Sequence, residues 1–333
     1  MKIKTVLKAT GGLALALSAF YLVISHDYDD PVEPVLPADK SGDKKRNPYI
    51  VPNGETMVSA HRSGAGIAPE NTLRAFRNCV ESDSFFTDVF EFDLHLTEDG
   101  ELILLHDDTF DRTSNAKEAF GKAGVLPKEK TYEELYKLNM GEHFETADGK
   151  TPYAGLRGDQ IPDDLHVMRL RDIFTYLAPF KNYRFIIELK DGGDRGRRAA
   201  DKLYETLSEF GLLKRAVIGT FHGEISRYMS EKYPDMLRSA SVREVCGFYF
   251  SSLFGIHHKP GHYRFAALQI PYDDHVFNLG TARLVNYAHK NNIAVQYWTI
   301  NKPEKVRHLI RIGADAIMSD LPDMVYSVLR GKA

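Results

Sequence analysis

Short apolar segments alternate with amphipathic helical segments through most of this 333-residue chain. Eight of the apolar segments have the length and the flanking turn residues of β-strands. They are residues 57–60, 89–96, 184–189, 216–220, 237–241, 266–270, 294–299 and 316–318. A repeated strand-then-helix order favours parallel strands. Eight such units predict an α/β fold of the (β/α)8 or TIM-barrel type rather than an open doubly wound sheet.

One region interrupts this alternation after the second predicted strand. Residues 101–106 follow a Thr-Glu-Asp-Gly turn, and this arrangement predicts a hairpin that extends the strand. The segment 107–180 is too long for an ordinary connection between a strand and a helix. It therefore predicts a subdomain inserted over the barrel mouth. The barrel domain with its insertion is expected to cover residues 56–330.

The N-terminal segment has the pattern of an export signal. Three lysines precede an uncharged, apolar run from Ala9 to Ser25. Positive charge before an apolar run predicts that the N-terminus stays inside the cell and that the rest is exported. Residues 1–26 are expected to form an uncleaved single-pass anchor in the cell membrane, with a cleaved signal peptide and a secreted domain as the alternative. Residues 27–47, rich in Pro, Asp, Lys and Ser, predict an extracellular linker.

The overall charge argues against a nucleic-acid-binding protein, which would usually carry a basic excess. Forty-three Lys and Arg against 46 Asp and Glu give a net charge of −3. A small anionic ligand would therefore have to be held by a few local groups. The two cysteines, Cys79 and Cys246, lie in no CxxC or His/Cys cluster, so a structural zinc site is not expected. Two separate thiols are favoured over a disulfide.

Acidic residues alternate with apolar residues in two of the predicted strands. Because strand side chains alternate between two faces, Glu91 and Asp93 share one face, and Glu188 shares a face of the next strand with Lys190. Carboxylates that point into an apolar barrel repel each other unless a cation or a base lies between them. Three carboxylates from two strand ends predict an oxygen-rich site for Ca²⁺ or Mg²⁺. Ordinary salt bridging, such as Glu188 with Lys190, is the alternative.

Two histidines follow strand ends. His61 ends the first predicted strand, and His106 ends the hairpin. In a TIM barrel the catalytic groups lie at the C-terminal ends of the strands, and imidazole transfers protons near neutral pH. His61 and His106 are therefore candidate acid–base residues.

The motifs around these residues occur in a fixed order from about residue 57 to residue 324. They are His61-Arg62-Ser63-Gly64, Pro69-Glu70-Asn71-Thr72, Glu91-x-Asp93, Thr97-x-Asp99-Gly100, His106-Asp107, Glu188-x-Lys190, Trp298-Thr299-x-Asn301 and the segment Gly313 to Pro322. This ordered set resembles the signature of the glycerophosphodiester phosphodiesterases. Ser63 departs from the signature, because the family usually has Gly at this position.

The resemblance implies metal-dependent hydrolysis of glycerophosphodiesters to glycerol 3-phosphate and an alcohol. Glu91, Asp93 and Glu188 would bind a divalent cation, either Ca²⁺ or Mg²⁺, that holds a phosphate oxygen. Arg62 and Lys190 would add positive charge around the phosphorus. These groups would balance the charge that develops on a diester during cleavage.

The resemblance also implies acid–base roles. His61 and His106 would act as general base and general acid while a substrate hydroxyl attacks phosphorus in line, and either assignment is open. Trp298, the single tryptophan, lies at the end of the seventh predicted strand and offers an apolar face that suits a glycerol backbone. Phe221 is a similar candidate after the fourth strand. Packing in the core is the alternative for Trp298.

Other functions remain as alternatives. The same chemistry could act on lysophospholipids or on glycerol-phosphate polymers, both of which lie near a membrane-tethered site. A catalytically inactive barrel that binds phosphodiesters is a second alternative, although the complete set of histidines and carboxylates argues against it. A glycosidase with a carboxylate pair explains neither the two histidines nor Lys190.

Overall fold

The protein is described by a computed structural model that covers residues 22–26, 30–35, 46–180, 182–259, 261–272 and 277–331. Within these residues, nine strands belong to one sheet. The strands are β1 (Met57–Ala60), β2 (Val89–Leu96), β3 (Leu102–Leu104), β4 (Arg184–Leu189), β5 (Ala216–Gly219), β6 (Leu237–Arg238), β7 (Ala267–Pro271), β8 (Ala294–Trp298) and β9 (Ala316–Ser319).

Eight of these strands are parallel and form a barrel. Neighbouring strands follow the order β6-β5-β4-β2-β1-β9-β8-β7. A parallel bridge between Ser239, just after β6, and Ala267 on β7 brings the two ends of this order together, so the ring is nearly closed. The predicted TIM barrel is confirmed. The remaining strand, β3, pairs antiparallel with β2, as expected of the hairpin.

Helices surround the barrel and connect its strands. Apart from a single turn at residues 22–25, the α-helices of the described chain are α1 (Leu73–Val80), α2 (Ala116–Ala119), α3 (Tyr132–Tyr136), α4 (Leu170–Leu177), α5 (Gly193–Glu209), α6 (Gly223–Lys232), α7 (Val242–Leu253), α8 (Ala282–Lys290), α9 (Pro303–Arg311) and α10 (Pro322–Leu329). Strands β1, β2, β5 and β9 are buried along their whole length. This burial is typical of parallel strands, which have helices on one face and the barrel interior on the other.

The insertion after β3 has a small apolar core of its own. Phe110, Val125, Leu135 and Leu138 are fully buried in a cluster separate from that of the barrel. The helix α4, at the end of the predicted insertion, packs instead into the barrel cluster. The inserted segment thus lies beside the C-terminal end of β2, where it can contribute side chains to the barrel mouth.

Most of the predicted membrane segment lies outside the described residues. Among those described, no helix is both long and apolar enough to cross a membrane. Residues 22–26 are described, and the side chain of Ile24 is buried against the barrel. The carbonyl of Ile24 accepts hydrogen bonds from the Tyr249 hydroxyl (2.6 Å) and from the Asn278 amide (3.0 Å).

The described part of the predicted linker contacts helix α8. Asp30 forms an ion pair with Arg283 at 2.6 Å. The side chain of Asn286 donates to the carbonyl of Pro31 (2.8 Å) and accepts from the amide of Glu33 (3.0 Å). Residues 30–35 therefore follow the barrel surface, while residues 27–29 and 36–45 lie outside the described chain.

Candidate active site

A cavity of about 550 Å³ opens at the C-terminal ends of the strands. Every site residue predicted from the sequence lines this cavity: His61, Arg62, Glu91, Asp93, His106, Glu188, Lys190, Phe221 and Trp298. They come from β2, β4, β8 and the segments that follow β1, β3, β4 and β5. The barrel thus brings together side chains that are up to 237 positions apart, at the end of the fold where TIM-barrel enzymes carry their catalytic groups.

His61 is held through one ring nitrogen. Its Nδ1 lies 2.7 Å from Oδ1 of Asp320, whose other oxygen accepts from the Asn301 amide at 2.6 Å. The second nitrogen, Nε2, lies 3.9 Å from Glu91. Burial opposes protonation of the ring, but the charge of Glu91 and the hydrogen bond to Asp320 outweigh it and raise the pKa of His61. The Asp320 contact orients the ring and leaves Nε2 for proton transfer.

His106 is held in the same way by its neighbour in sequence. Its Nδ1 lies 2.8 Å from Oδ1 of Asp107. Arg112 binds both oxygens of Asp107, at 2.7 and 2.9 Å, and both oxygens of Glu70, at 2.8 and 2.7 Å. Glu70 also accepts from Arg62 at 3.3 Å. A chain of alternating charges thus connects the His106 ring with the Arg62 guanidinium.

The carboxylates lie deeper in the cavity. Burial, and then the negative charge of Asp93, raises the pKa of Glu91 well above its ordinary value. The amide of Arg62 donates to Glu91 at 2.7 Å, and the side chain of Asn71 donates to Asp93 at 3.3 Å. Asp93 and Glu188 are register partners on β2 and β4, so their side chains point in the same direction. The three carboxylates Glu91, Asp93 and Glu188 thus lie together in the cavity.

Lys190 is the cation nearest to these carboxylates. Its Nζ lies 2.9 Å from Glu188 and 3.5 Å from Asp93. Burial disfavours its charged form, but the charges of Asp93 and Glu188 raise the pKa of Lys190 above its ordinary value. Among the described residues, no group of three or more His, Cys, Asp and Glu side chains is arranged to hold a metal ion.

The opposite wall of the cavity is mainly apolar. It is formed by Val242, Val245, Cys246 and Tyr249 on α7, Ile270 and Pro271 on β7, Trp298 on β8, and Phe221, Phe277 and Leu279. Cys246 is therefore half-buried in this wall, whereas Cys79 is buried elsewhere, and the two thiols are free. The cavity has one charged side and one apolar side.

Several supporting residues were not assigned a function from the sequence. Asp320, Asn301, Asp107 and Glu70 all occur in the motifs, but nothing in the sequence shows which side chain each of them contacts. Arg112 belongs to none of the quoted motifs. Its only sequence signal is its position five residues after Asp107, within the insertion.

Replacing Arg112 by Ala is expected to lower the free energy of unfolding at pH 7 by about 1–3 kcal/mol, because two charge-assisted pairs in a partly exposed place are lost. Hydrogen bonds from Arg112 depress the pKa of Asp107. Because the pKa of Asp107 is lower in the folded protein than in the unfolded chain, its carboxylate stabilises the fold at pH values above the unfolded-state pKa of about 3.9. This stabilisation is lost as the pH falls through the folded-state pKa. In urea unfolding, the difference in the free energy of unfolding between the wild type and Arg112→Ala should thus become smaller below about pH 4.

Arg197→Ala is the matched control for this variant. Arg197 and Arg112 are both 48% exposed, but the ion pair of Arg197 is with Asp194, whose side chain is 93% exposed. A surface pair of this kind contributes about 0–1 kcal/mol. If both variants lost the same free energy of unfolding at all pH values, Arg112 would be an ordinary surface residue.

Two solved structures share this fold. Glycerophosphodiester phosphodiesterase from Agrobacterium tumefaciens superposes with a TM-score of 0.60 at 19% identity, covering 82% of this chain and 99% of that one. A phosphodiesterase of Oleispira antarctica, solved in complex with the product sn-glycerol-3-phosphate, also has a TM-score of 0.60 at 19% identity, covering 82% and 96%. At these identities the likeness shows the fold alone.

Relatives are also found by sequence. A glycerophosphodiester phosphodiesterase of Caldanaerobacter subterraneus is 27% identical over 276 residues, which cover 83% of this chain and 98% of that protein. Glycerophosphodiester phosphodiesterase 1 of Homo sapiens is 28% identical over 194 residues, which cover 58% of this chain and 51% of that protein.

Histidines, carboxylates and cationic side chains line one barrel cavity, and the relatives of this chain define it as an enzyme of the phosphoric diester hydrolase class. The model of the glycerophosphoryl diester phosphodiesterase family matches residues 61–324. The chain belongs to this family, and the resemblance inferred from the motifs is confirmed.

Proposed function

We propose that the protein hydrolyses glycerophosphodiesters to glycerol 3-phosphate and an alcohol, with a divalent cation and two histidines. The observation that carries this proposal is the pairing of His61 and His106 on one cavity, each with Nδ1 held by a carboxylate. Fixing Nδ1 in this way leaves the Nε2 atoms of both rings available to the substrate. Family membership supports the choice of substrate.

The cavity offers the donor atoms of a divalent-cation site, although its carboxylates are not arranged as one in this structure. Glu91, Asp93 and Glu188 offer the carboxylate oxygens that Ca²⁺ and Mg²⁺ prefer. Burial and the charge of Asp93 raise the pKa of Glu91, so a cation beside these carboxylates would favour their charged forms. Cation binding would require the Lys190 ammonium to leave Glu188, which it contacts at 2.9 Å. When bound, the cation would polarise a phosphate oxygen and balance the charge developing there.

The histidines would move the protons of the reaction. One ring would take the proton from a substrate hydroxyl as that oxygen forms a bond to phosphorus. The other ring would protonate the alkoxide of the departing alcohol as its bond to phosphorus breaks. Water would then open the cyclic phosphate, and the two rings would exchange their roles. The Asp320 and Asp107 contacts would stabilise whichever ring carries the positive charge.

The remaining predicted residues would bind the substrate. Arg62 and Lys190 carry positive charge beside the carboxylates and would stabilise the transition state at phosphorus. Trp298 and Phe221, on the apolar side, would contact the glycerol carbons. The Glu70 and Arg112 pairings would fix the direction of Arg62.

The role of the substrate hydroxyl can be tested with a matched pair of diesters. Glycerophosphocholine carries a hydroxyl next to the phosphorylated carbon, and propylphosphocholine lacks it. If this hydroxyl is the nucleophile, choline release from the propyl compound is expected to be lower by at least about 10⁵-fold, the lower end of intramolecular effective molarities. Comparable rates for the two compounds would show that water attacks directly and would refute the cyclic route.

We further propose that residues 56–330 form the catalytic domain and lie outside the cell, attached through residues 1–26. The charge asymmetry around the run from Ala9 to Ser25 supports this orientation. Protease treatment of intact cells is expected to digest the catalytic domain. Protection of the domain until the cells are lysed would refute the proposal.

A further inference from the structure

A second cavity, of about 660 Å³, lies between helices α6 and α7. Its lining comes from both helices and from the segment that leads into β7. Phe221 and Val242 line this cavity as well as the catalytic one, so the two open beside each other. His61, His106 and the carboxylates of the catalytic cavity do not line it. This cavity, called the α6–α7 groove below, is therefore separate from the phosphodiester site.

The α6–α7 groove carries an excess of positive charge. The charged residues that line it are four arginines and two glutamates, namely Arg227, Arg238, Arg243, Arg264, Glu231 and Glu244. Three of the arginines, Arg227, Arg243 and Arg264, are exposed, and none of them forms an ion pair within the part of the chain that the structure describes. The whole chain has a net charge of −3, so this excess belongs to the groove and not to the composition.

Two buried side chains of the groove have donors that remain unpaired. Arg238 is 6% exposed, and its terminal nitrogens bind Glu244 at 2.8 and 2.7 Å, but its Nε has no hydrogen-bond partner among the described atoms. Ser226 is 5% exposed, and its hydroxyl accepts from Arg238 at 3.4 Å without donating to any described atom. Because a buried donor without an acceptor is unfavourable, both side chains suit a ligand that brings acceptor oxygens into the groove.

The first turns of two helices also line the α6–α7 groove. Gly223 and Ser226 belong to the first turn of α6, and Ser241 is the N-cap of α7. The N-terminus of a helix carries partial positive charge and favours anions. Glu244 does not cancel this field, because its oxygens already accept from Arg238 and from the amide and hydroxyl of Ser241.

We propose that the α6–α7 groove is a second binding site, which takes a phosphate group. Arg238 and Ser226 would donate to the phosphate oxygens from the buried side, and the exposed arginines would pair with them from the solvent side. Arginine suits this ligand because its planar guanidinium presents paired donors to phosphate oxygens. Cavities of roughly 300–1,000 Å³ hold small organic ligands, so the groove has room for an organic group on the phosphate. Inorganic phosphate and the headgroup of phosphatidate share this chemistry.

The test is titration calorimetry of the whole protein with inorganic phosphate and, separately, with soluble dibutanoyl phosphatidate. In about 0.15 M salt, charges more than about 8 Å apart are largely screened. Arg227→Gln/Arg243→Gln is expected to raise the Kd of the bound ligand by about tenfold or more, because charge-assisted hydrogen bonds are lost. Ser226→Ala, which removes a donor but no charge, is expected to raise the Kd by about tenfold. Tighter binding of phosphate would identify a free anion as the ligand, and tighter binding of phosphatidate would identify a lipid headgroup.

Arg307→Gln/Arg311→Gln is the matched control, because both arginines are exposed on α9 and line neither cavity. It removes the same charge and should leave the Kd unchanged, as should any ligand bound in the catalytic cavity. All variants should keep the far-ultraviolet circular dichroism of the wild type. No binding of either ligand by the wild type, equal weakening by the α9 control, or an unchanged Kd in either groove variant would overturn the inference. The proposed hydrolysis would stand in each case, because its residues lie in the other cavity.

Discussion

Replacing His61 or His106 by Ala is expected to lower kcat on glycerophosphocholine by about 10²–10⁴-fold, the usual contribution of acid–base catalysis. Each ring contacts a carboxylate through Nδ1, at 2.7 Å for Asp320 and 2.8 Å for Asp107, so each Nε2 is available for proton transfer. KM should change little, because the cationic side chains and the carboxylates that bind the phosphate remain. Steady-state kinetics of glycerol 3-phosphate release would measure both quantities.

Two comparisons make this experiment decisive. His143→Ala removes an exposed histidine outside the cavity and should keep full activity. The double variant His61→Ala/His106→Ala should have a kcat only slightly lower than that of the more damaging single variant. The effects of substituting residues that act as one unit are strongly non-additive. Near-normal kcat in both single variants would refute the acid–base assignment.

Removing the divalent cation is expected to abolish turnover and to destabilise the protein. A cation that binds only the folded chain adds about 2.7 kcal/mol to the free energy of unfolding when its concentration is 100 times its Kd. Asp93 is 1% exposed and lies among the proposed ligands, so Asp93→Asn should lose both the turnover and this cation-dependent stabilisation. Urea unfolding with Ca²⁺, with Mg²⁺ and with a chelator would measure the effect.

The matched control for this variant is Asp194→Asn, which changes an acid that is 93% exposed and does not line the cavity. It should keep both the activity and the response to the cation. If chelation changes neither the turnover nor the stability of the wild-type protein, the metal proposal is wrong.

Much of the barrel could be predicted from the sequence, because parallel strands buried on both faces form short apolar runs with turn residues around them. β1, β2 and β4 have the predicted bounds. β6 is shorter than expected, with two residues where five were predicted. A short buried strand end is not distinguishable by composition from the loop that follows it.

The location of the site could also be predicted, but its supporting contacts could not. Acids at alternate positions of β2 must share a face, so Glu91 and Asp93 follow from local geometry. The contact between His61 and Asp320 joins residues 259 positions apart, and the pairing of β1 with β9 brings them together. Ser63, which departs from the family pattern, has a φ of 66°, in the region that favours glycine. The positive φ at this position therefore explains why the family usually has Gly there.

The division of the cavity into a charged side and an apolar side arises from the tertiary structure and not from a local sequence pattern. Val242 and Val245 lie on α7, and their pattern is that of an ordinary amphipathic helix. Nothing in the sequence indicates that this helix turns part of its apolar face towards the phosphodiester site rather than the core. The contact between Tyr249 and Ile24, which links α7 with the N-terminal run, spans 225 positions.

The most direct test of the account is the release of glycerol 3-phosphate from glycerophosphocholine by the purified protein, measured with Ca²⁺, with Mg²⁺ and with a chelator. We expect metal-dependent release, in which the more effective cation identifies the natural one and the chelator reduces the rate to background. Folded protein that releases no glycerol 3-phosphate with either cation, or that releases it equally well in the chelator, would contradict the account.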